Sequence, residues 1–502
     1  MAEPQLGVIA AGHPLTAEAG AAVLRGGGNA VDAALGAILV SFVSEPLLTG
    51  LGAGGYMLVV APEREPVLLD FFVEAPGRGA DAGRRAELVP ISVSFGDAIQ
   101  VFNIGAASVG TYGMPAGLCE ASTRFGRIPL SDLVQPAAAL AREGVELTTE
   151  QAYVVEILGG IVTSTPEAAA LFAPGGALLT VGERFRYPEL AEALERLGAE
   201  GPTPFYSGDI GAGIVEWVAA RGGMLTAEDL ARYAVTDRPP IRTRYRDRAV
   251  LTNPPPSAGG ILIAHALARL DAAPDAPDTE RVVEAMERTQ AERTPEFLEG
   301  LDDPEFVERF LRRSGAAARQ LGSTTHIAVL DRDGWACSVT CSNGSCSGVV
   351  VPGTGVHLNN MLGEQDLNPL GFHRHPPGRR LPSMMAPTVV LRDGAPELVL
   401  GSAGSNRIRS AILQTVLRVI DDGMRADEAV EAPRLHFEDG VVYAEPGVDT
   451  AALEAAGRPI GRFRQRNLFF GGVQAVQRDP EGVFWGGGDP RRGGAAVVVC
   501  AP

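Results

Sequence analysis

Covalent chemistry in this sequence has its best starting point in a pair of hydroxyls, Thr324-Thr325, followed by His326 at the head of an alternating apolar stretch. A threonine hydroxyl is a poor nucleophile near neutral pH and requires a base beside it. Lysine is absent, all 43 basic residues being arginine. That removes Schiff-base chemistry and any phosphate loop that depends on a lysine. His13, His326, His357, His373, His375 and His436 are scattered, and no pair has the spacing of a helical metal motif. They read as structural, with His326 near Thr324 by virtue of following it by two residues. Cys119, Cys337, Cys341, Cys346 and Cys500 are odd in number and lack paired CxxC spacing. Neither a metal centre nor a secreted disulfide framework is expected, and no cofactor is called for. On local pattern alone, a strand threonine beside another is the commoner reading of Thr324.

The elements that must position such a residue follow from periodicity. Thr324–Leu330 alternates as a strand, Asp331-Arg332-Asp333-Gly334 supplies a turn, and Trp335–Cys341 returns, which predicts a hairpin. A second strand pair is predicted at 388–392 and 397–401 around Asp393-Gly394. From Asn406 to Ile420, Ile408, Ile412, Val416 and Val419 share a helical face. Helices are also predicted at 17–25, at 29–43 with Asn29 as cap, and at 130–160, 187–198, 209–221, 225–233 and 258–270. The glycine turn at 50–55 feeds a buried strand at 56–60. The polar stretch 278–320 reads as two surface helices and an exposed connection. Strands between helix layers in this order favour an α+β fold, an αββα sandwich of four layers, over a parallel doubly wound sheet.

With 502 residues, the chain calls for two lobes or one large layered domain. Apolar residues make up 45% and charged ones 21%, a globular balance, and a net charge of −18 excludes nucleic acid and anionic membranes as expected partners. Met1-Ala2-Glu3-Pro4-Gln5 has no basic segment of the signal-peptide kind. The longest apolar run, 33–43, falls short of the roughly 20 residues of a membrane span. A cytoplasmic enzyme is the expectation.

The segment Gly322-Ser323-Thr324-Thr325-His326, continuing to Gly334, resembles the junction at which γ-glutamyltranspeptidases cut themselves into two subunits. The resemblance extends through Gly27-Gly28-Asn29, Glu45-Pro46, Phe205-Tyr206, Leu225-Thr226, Pro254–Gly260, Leu358-Asn359-Asn360, Pro382-Ser383-Met384, Gly401–Gly404 and Asp489-Pro490-Arg491. It implies an N-terminal-nucleophile hydrolase with a large subunit, 1–323, and a small catalytic subunit, 324–502, the two associating into one core. Cleavage between Ser323 and Thr324 would free an α-amine whose pKa, about 7.7–8, lies near working pH. One residue then supplies nucleophile and base. The resemblance implies a second hydroxyl at Ser342 and an oxyanion site at the amides of Gly404 and Ser405. Independently, Gly404-Ser405-Asn406 precedes a predicted helix, whose first amides lack intrahelical partners.

Substrate residues depart from the family pattern. Asp81 stands where the family has an arginine for the glutamyl α-carboxylate, with Arg78, Arg84 and Arg85 as possible substitutes. Pro382-Ser383 replaces a serine pair, so Ser383 alone keeps a hydroxyl. On the amine side Glu364 retains an anion, Met361 replaces a glutamine, and Asn343 matches the family's asparagine. The implied substrate is a γ-glutamyl amide, with water or an amino acid or peptide as acceptor. Two alternatives stay open: an acylase-type amidohydrolase with another acyl group, and an unprocessed, non-catalytic relative.

Overall fold

Two antiparallel sheets stacked face to face carry the site. A computed structural model describes residues 4–80, 87–94, 99–301, 303–311, 324–368 and 371–501. In chain order the strands of these sheets are β1 (Gln5–Ala11), β2 (Gly54–Val60), β3 (Val67–Phe71), β4 (Thr236–Arg238), β5 (Ile241–Tyr245), β6 (Arg248–Thr252), β7 (Thr325–Asp331), β8 (Ala336–Ser342), β9 (Thr388–Arg392), β10 (Ala395–Ala403), β11 (Gly472–Arg478), β12 (Phe484–Gly488) and β13 (Ala495–Cys500). The first sheet runs β13-β1-β7-β8-β2-β3-β4 and the second β12-β11-β10-β9-β6-β5. Helices α1 (Pro14–Arg25) and α2 (Ala30–Ser44) cover the outer face of the first sheet. Helices α3 (Ala258–Asp271), α4 (Arg407–Ile420) and α5 (Ala426–Glu431) cover the second. This is the αββα sandwich expected from the element order.

Strand β7 lies between β1 and β8, so segments from both sides of Thr324 interleave in one sheet. Alternation divides its side chains. Ile327 and Val329 enter the core beneath α2, while Ala328 and Leu330 enter the core between the sheets. The predicted turn is built by its aspartates. Asp331 Oδ1 accepts from the amides of Asp333 and Trp335 at 2.9 and 3.0 Å, and Gly334 takes φ +87°. The other oxygen of Asp331 accepts from Ala30 N at 2.9 Å, which pins the hairpin to the start of α2. That start is closed by Asn29, the cap read from the sequence, and the structure adds Asp32 as its reciprocal partner.

Two expectations need correction. The stretch 130–160 is not one helix: it divides into Leu130–Leu133, Gln135–Glu143, Thr149–Ile157 and Gly159–Val162, with Gly144 at φ +87° ending the second piece. The described part of 278–320 holds three helices, Thr279–Gln290, Pro295–Gly300 and Pro304–Leu311. They are not merely superficial, because Val283, Met286 and Phe297 are buried in the core around α3. Among the described residues no helix is long and apolar enough to cross a membrane.

Candidate active site

Register places the two hydroxyls opposite each other. Thr325 pairs with Cys341 and His326 with Thr340, so continuing the same ladder sets Thr324 across from Ser342. Side chains alternate, and Thr324, Ser342, His326 and Thr340 therefore share the face between the sheets. Thr324 and Ser342 line one open cleft, together with Gly344, Glu364, Ser383 and Ser405. Its apolar wall comes from Phe72, Met361, Leu367, Met384, Met385 and Ile408. The sequence thus pointed to five side chains, Thr324, Ser342, Glu364, Ser383 and Ser405, that the fold gathers from five separate segments.

Each has a local reason for its place. Ser342 Oγ accepts from Gly344 N at 3.0 Å, which sets the hydroxyl at the strand's end. Ser383 Oγ accepts from Met385 N at 2.9 Å. Gly404 and Ser405 have φ of +110° and +54°, so the chain reverses sharply between β10 and α4. A Cβ at Gly404 would lie 2.9 Å from Gly471 Cα, which leaves room only for glycine. Asn406 does not cap α4 with its side chain. Its carboxamide donates to Glu438 and accepts from Arg293, both at 2.9 Å. Glu364 Oε1 accepts from Ser345 N at 2.9 Å.

Other candidates fall elsewhere. Asn343 does not line the cleft: it is fully buried, and its amide group donates to His357 O at 3.2 Å. Arg78 is paired with Glu74 at 3.0 Å and faces Asp229 at 3.8 Å. Ser323, Asp81, Arg84 and Arg85 lie outside the described residues. His326 fits the structural reading. Its Nδ1 is 2.8 Å from Thr340 Oγ1, and burial pushes its imidazole down to about 3. A neutral ring wedged against Gly401, where a Cβ would sit 2.3 Å from Cε1, spaces the two sheets. The cysteines are free, burial raises the thiols of Cys337, Cys341 and Cys346, and no cluster able to hold a metal occurs among the described residues.

Two charged residues had only been placed as parts of motifs. Thr325, on the face opposite Thr324, donates to Glu45 Oε2 at 2.7 Å, and Thr16 donates to Glu45 Oε1 at 3.1 Å. Burial pushes Glu45 up to about 7 despite these donors. Arg491 pairs with Asp489 at 3.1 Å in a buried turn. Arg492 instead lies across Gly472 and approaches the turn at Gly404, its Nη2 3.4 Å from where a Gly404 Cβ would be. Burial, and then the neighbouring Arg407 cation, bring Arg492 down to about 10.

Known proteins resemble the chain over almost its full length. The gamma-glutamyltranspeptidase family model matches residues 16–499. The acylase ACY 1 proenzyme of Pseudomonas sp. (strain SE83) is 31% identical, across 98% of this chain and 93% of its own. The glutathione hydrolase proenzyme of Bacillus subtilis (strain 168) is 30% identical, across 98% and 91%. Among solved structures, a cephalosporin acylase from Bacillus halodurans superposes with a TM-score of 0.84 at 26% identity, covering 99% of this chain and 96% of that one. A hairpin that faces Thr324 with Ser342, a glycine turn beside them and a match over almost the full length have one explanation: this chain is a member of the gamma-glutamyltranspeptidase family, enzymes of the N-terminal-nucleophile hydrolase fold.

Proposed function

We propose that the protein is an autoprocessed amidohydrolase or acyltransferase working through an ester on Thr324. The supporting observation is the convergence of Thr324, Ser342 and Ser405, the residue after Gly404, on one cleft. In maturation, Thr324 Oγ attacks the Ser323 carbonyl carbon, the Thr324 nitrogen departs, and water hydrolyses the ester, leaving a carboxylate on Ser323 and a free amine on Thr324. In turnover, that amine takes the hydroxyl proton as Oγ attacks the substrate amide. The Gly404 and Ser405 amides meet the developing oxyanion, and Ser342 orients the nucleophile. The leaving amine receives the proton, and water or an amino acid or peptide then accepts the acyl group. The 1–323 and 324–502 fragments stay associated, because their strands alternate in one sheet.

Both γ-glutamyl amides and other acyl groups fit the family, and the similarity to an acylase and a cephalosporin acylase favours keeping both readings. A hydroxyl-directed covalent inhibitor tests the core of the proposal. Peptide mapping should find the adduct on Thr324, and Thr324→Ala should abolish labelling and turnover together. An unlabelled, unprocessed wild-type chain would favour the non-catalytic alternative that Met361 and Pro382 suggest. Release of free acid against transfer to glycylglycine would separate hydrolase from transpeptidase.

A further inference from the structure

Strand β7 presents its two leading hydroxyls to opposite faces of the sheet, Thr324 to the cleft and Thr325 to the layer of α1 and α2. On that second face the Thr325 hydroxyl donates to Glu45 Oε2 at 2.7 Å, and Thr16 donates to Glu45 Oε1 at 3.1 Å. Glu45, Thr16 and Thr325 are all buried. The end of β1 leaves a slot for the carboxyl. A Cβ at Gly12 would stand 2.3 Å from Glu45 Oε2 and 2.9 Å from Thr325 Oγ1, so a side chain there would push the acid off the strand. An ionised carboxyl is costly in such a place, and a neutral amide of the same shape could meet the same hydroxyls. What glutamate adds is charge.

Bond lengths bound how far that charge lies from the chemistry. The Thr324 nitrogen is at most about 7 Å from Thr325 Oγ1 along the chain, and so within about 10 Å of Glu45. Among the described residues, the cation facing Glu45 is Arg492, in the turn before β13, which also borders Gly404. The Cys341 thiol of β8 faces Glu45 too, and burial pushes it up, so it stays neutral. On the cleft side of β7, His326 is neutral because burial pushes its imidazole down to about 3.

Resting on the acyl-Thr324 reading, we propose that Glu45 is a positioning residue for the reaction: through Thr325 it fixes the head of β7, and its negative charge steadies the ammonium formed when the Thr324 amine takes the hydroxyl proton. Glu45 itself gains and loses no proton in that step. An anion at this distance favours the protonated amine, whereas Arg492 alone would disfavour it. Burial pushes Glu45 up to about 7, so its charge is present where an α-amine of about 7.7–8 titrates.

The absence of lysine makes a direct test available. The amines of the cleaved enzyme are those of its first residue and of Thr324, so reductive methylation with 13C-formaldehyde labels two sites, and carbon NMR follows the titration of each. Glu45→Gln should lower the midpoint of the Thr324 amine by about half to one pH unit and leave the other amine where it was. The acid limb of Thr324 sulfonylation by phenylmethanesulfonyl fluoride should move by the same amount, a displacement that a purely structural Glu45 does not produce. Glu364, which also lines the cleft, is common to both enzymes and drops out of the comparison. Glu45→Asp, which keeps the charge, should titrate near wild type. An unmoved or higher midpoint in Glu45→Gln overturns the inference, as does a Glu45→Asp enzyme that titrates with Glu45→Gln. If Glu45→Gln is not cleaved, Thr325→Val carries the measurement. Losing that donor weakens the ionisation of Glu45, so the midpoint should again fall, and an unmoved one overturns the inference. A wild-type chain that shows no second amine instead removes the amidohydrolase reading beneath it.

Discussion

Replacing Gly404 with alanine probes the oxyanion turn with a single methyl group. At φ +110° an L side chain costs on the order of 1–2 kcal/mol in backbone strain. The new Cβ would also stand 2.9 Å from Gly471 Cα and 3.4 Å from Arg492 Nη2, so backbone has to shift by tenths of an ångström. Gly471 is itself held at φ +84°, which leaves the Gly404 side of the contact as the one that moves. Misdirecting one oxyanion donor lowers kcat about 10²–10³-fold, roughly 3–4 kcal/mol of transition-state stabilisation. Single-turnover acylation and steady-state anilide hydrolysis should both show this loss, with KM changed far less. Stability should drop by no more than the strain, so the variant remains folded at assay temperature. Wild-type kcat in a folded Gly404→Ala enzyme would refute the placement of the oxyanion at this turn.

Three further outcomes follow from the same geometry. Ser342→Ala removes the hydroxyl facing Thr324 and should slow acylation about tenfold, the effect of one hydrogen bond to a charged or reacting group, read by pre-steady-state kinetics. For Glu45, a rise from 4.5 to about 7 corresponds to about 3 kcal/mol against the ionised form. A raised folded pKa means that stability is complete below about 4.5 and declines as pH climbs through about 7. Urea midpoints should therefore shift in favour of Glu45→Gln, relative to wild type, between about pH 4.5 and 8, and parallel curves would argue against a buried, protonatable Glu45. Arg492→Met withdraws the side chain behind Gly404 and over Gly472, and kcat should fall about tenfold with little change in KM, a loss that an electrostatic contribution to the oxyanion predicts.

The parts of the structure that depend on near neighbours in the chain were legible before the fold was. Alternation plus Asp331–Gly334 defines the hairpin, because strand period and turn chemistry are both short-range. Asn29 and the helix after it were readable for the same reason. The reading of 130–160 as one helix failed where Gly144 and Pro136 interrupt an apolar pattern that would otherwise continue. Asn343 is instructive, since it follows Ser342 directly. Alternation sends neighbours to opposite sides, and with Ser342 in the cleft Asn343 turns into the core beside His357. The apolar wall had no comparable signature: Phe72, Leu367 and Met384 come from distant segments and meet through tertiary packing alone. The partnership of Glu45 with Thr325, 280 residues apart, was hidden for the same reason.

Intact mass of freshly purified, active protein, followed by N-terminal sequencing, addresses the central claim most directly. Two fragments of 323 and 179 residues are expected, the smaller beginning at Thr324, with Thr324→Ala remaining one inactive chain of about 52.4 kDa. Turnover by a wild-type chain still joined between Ser323 and Thr324 would contradict the account, because no freed amine would then be present to act as base.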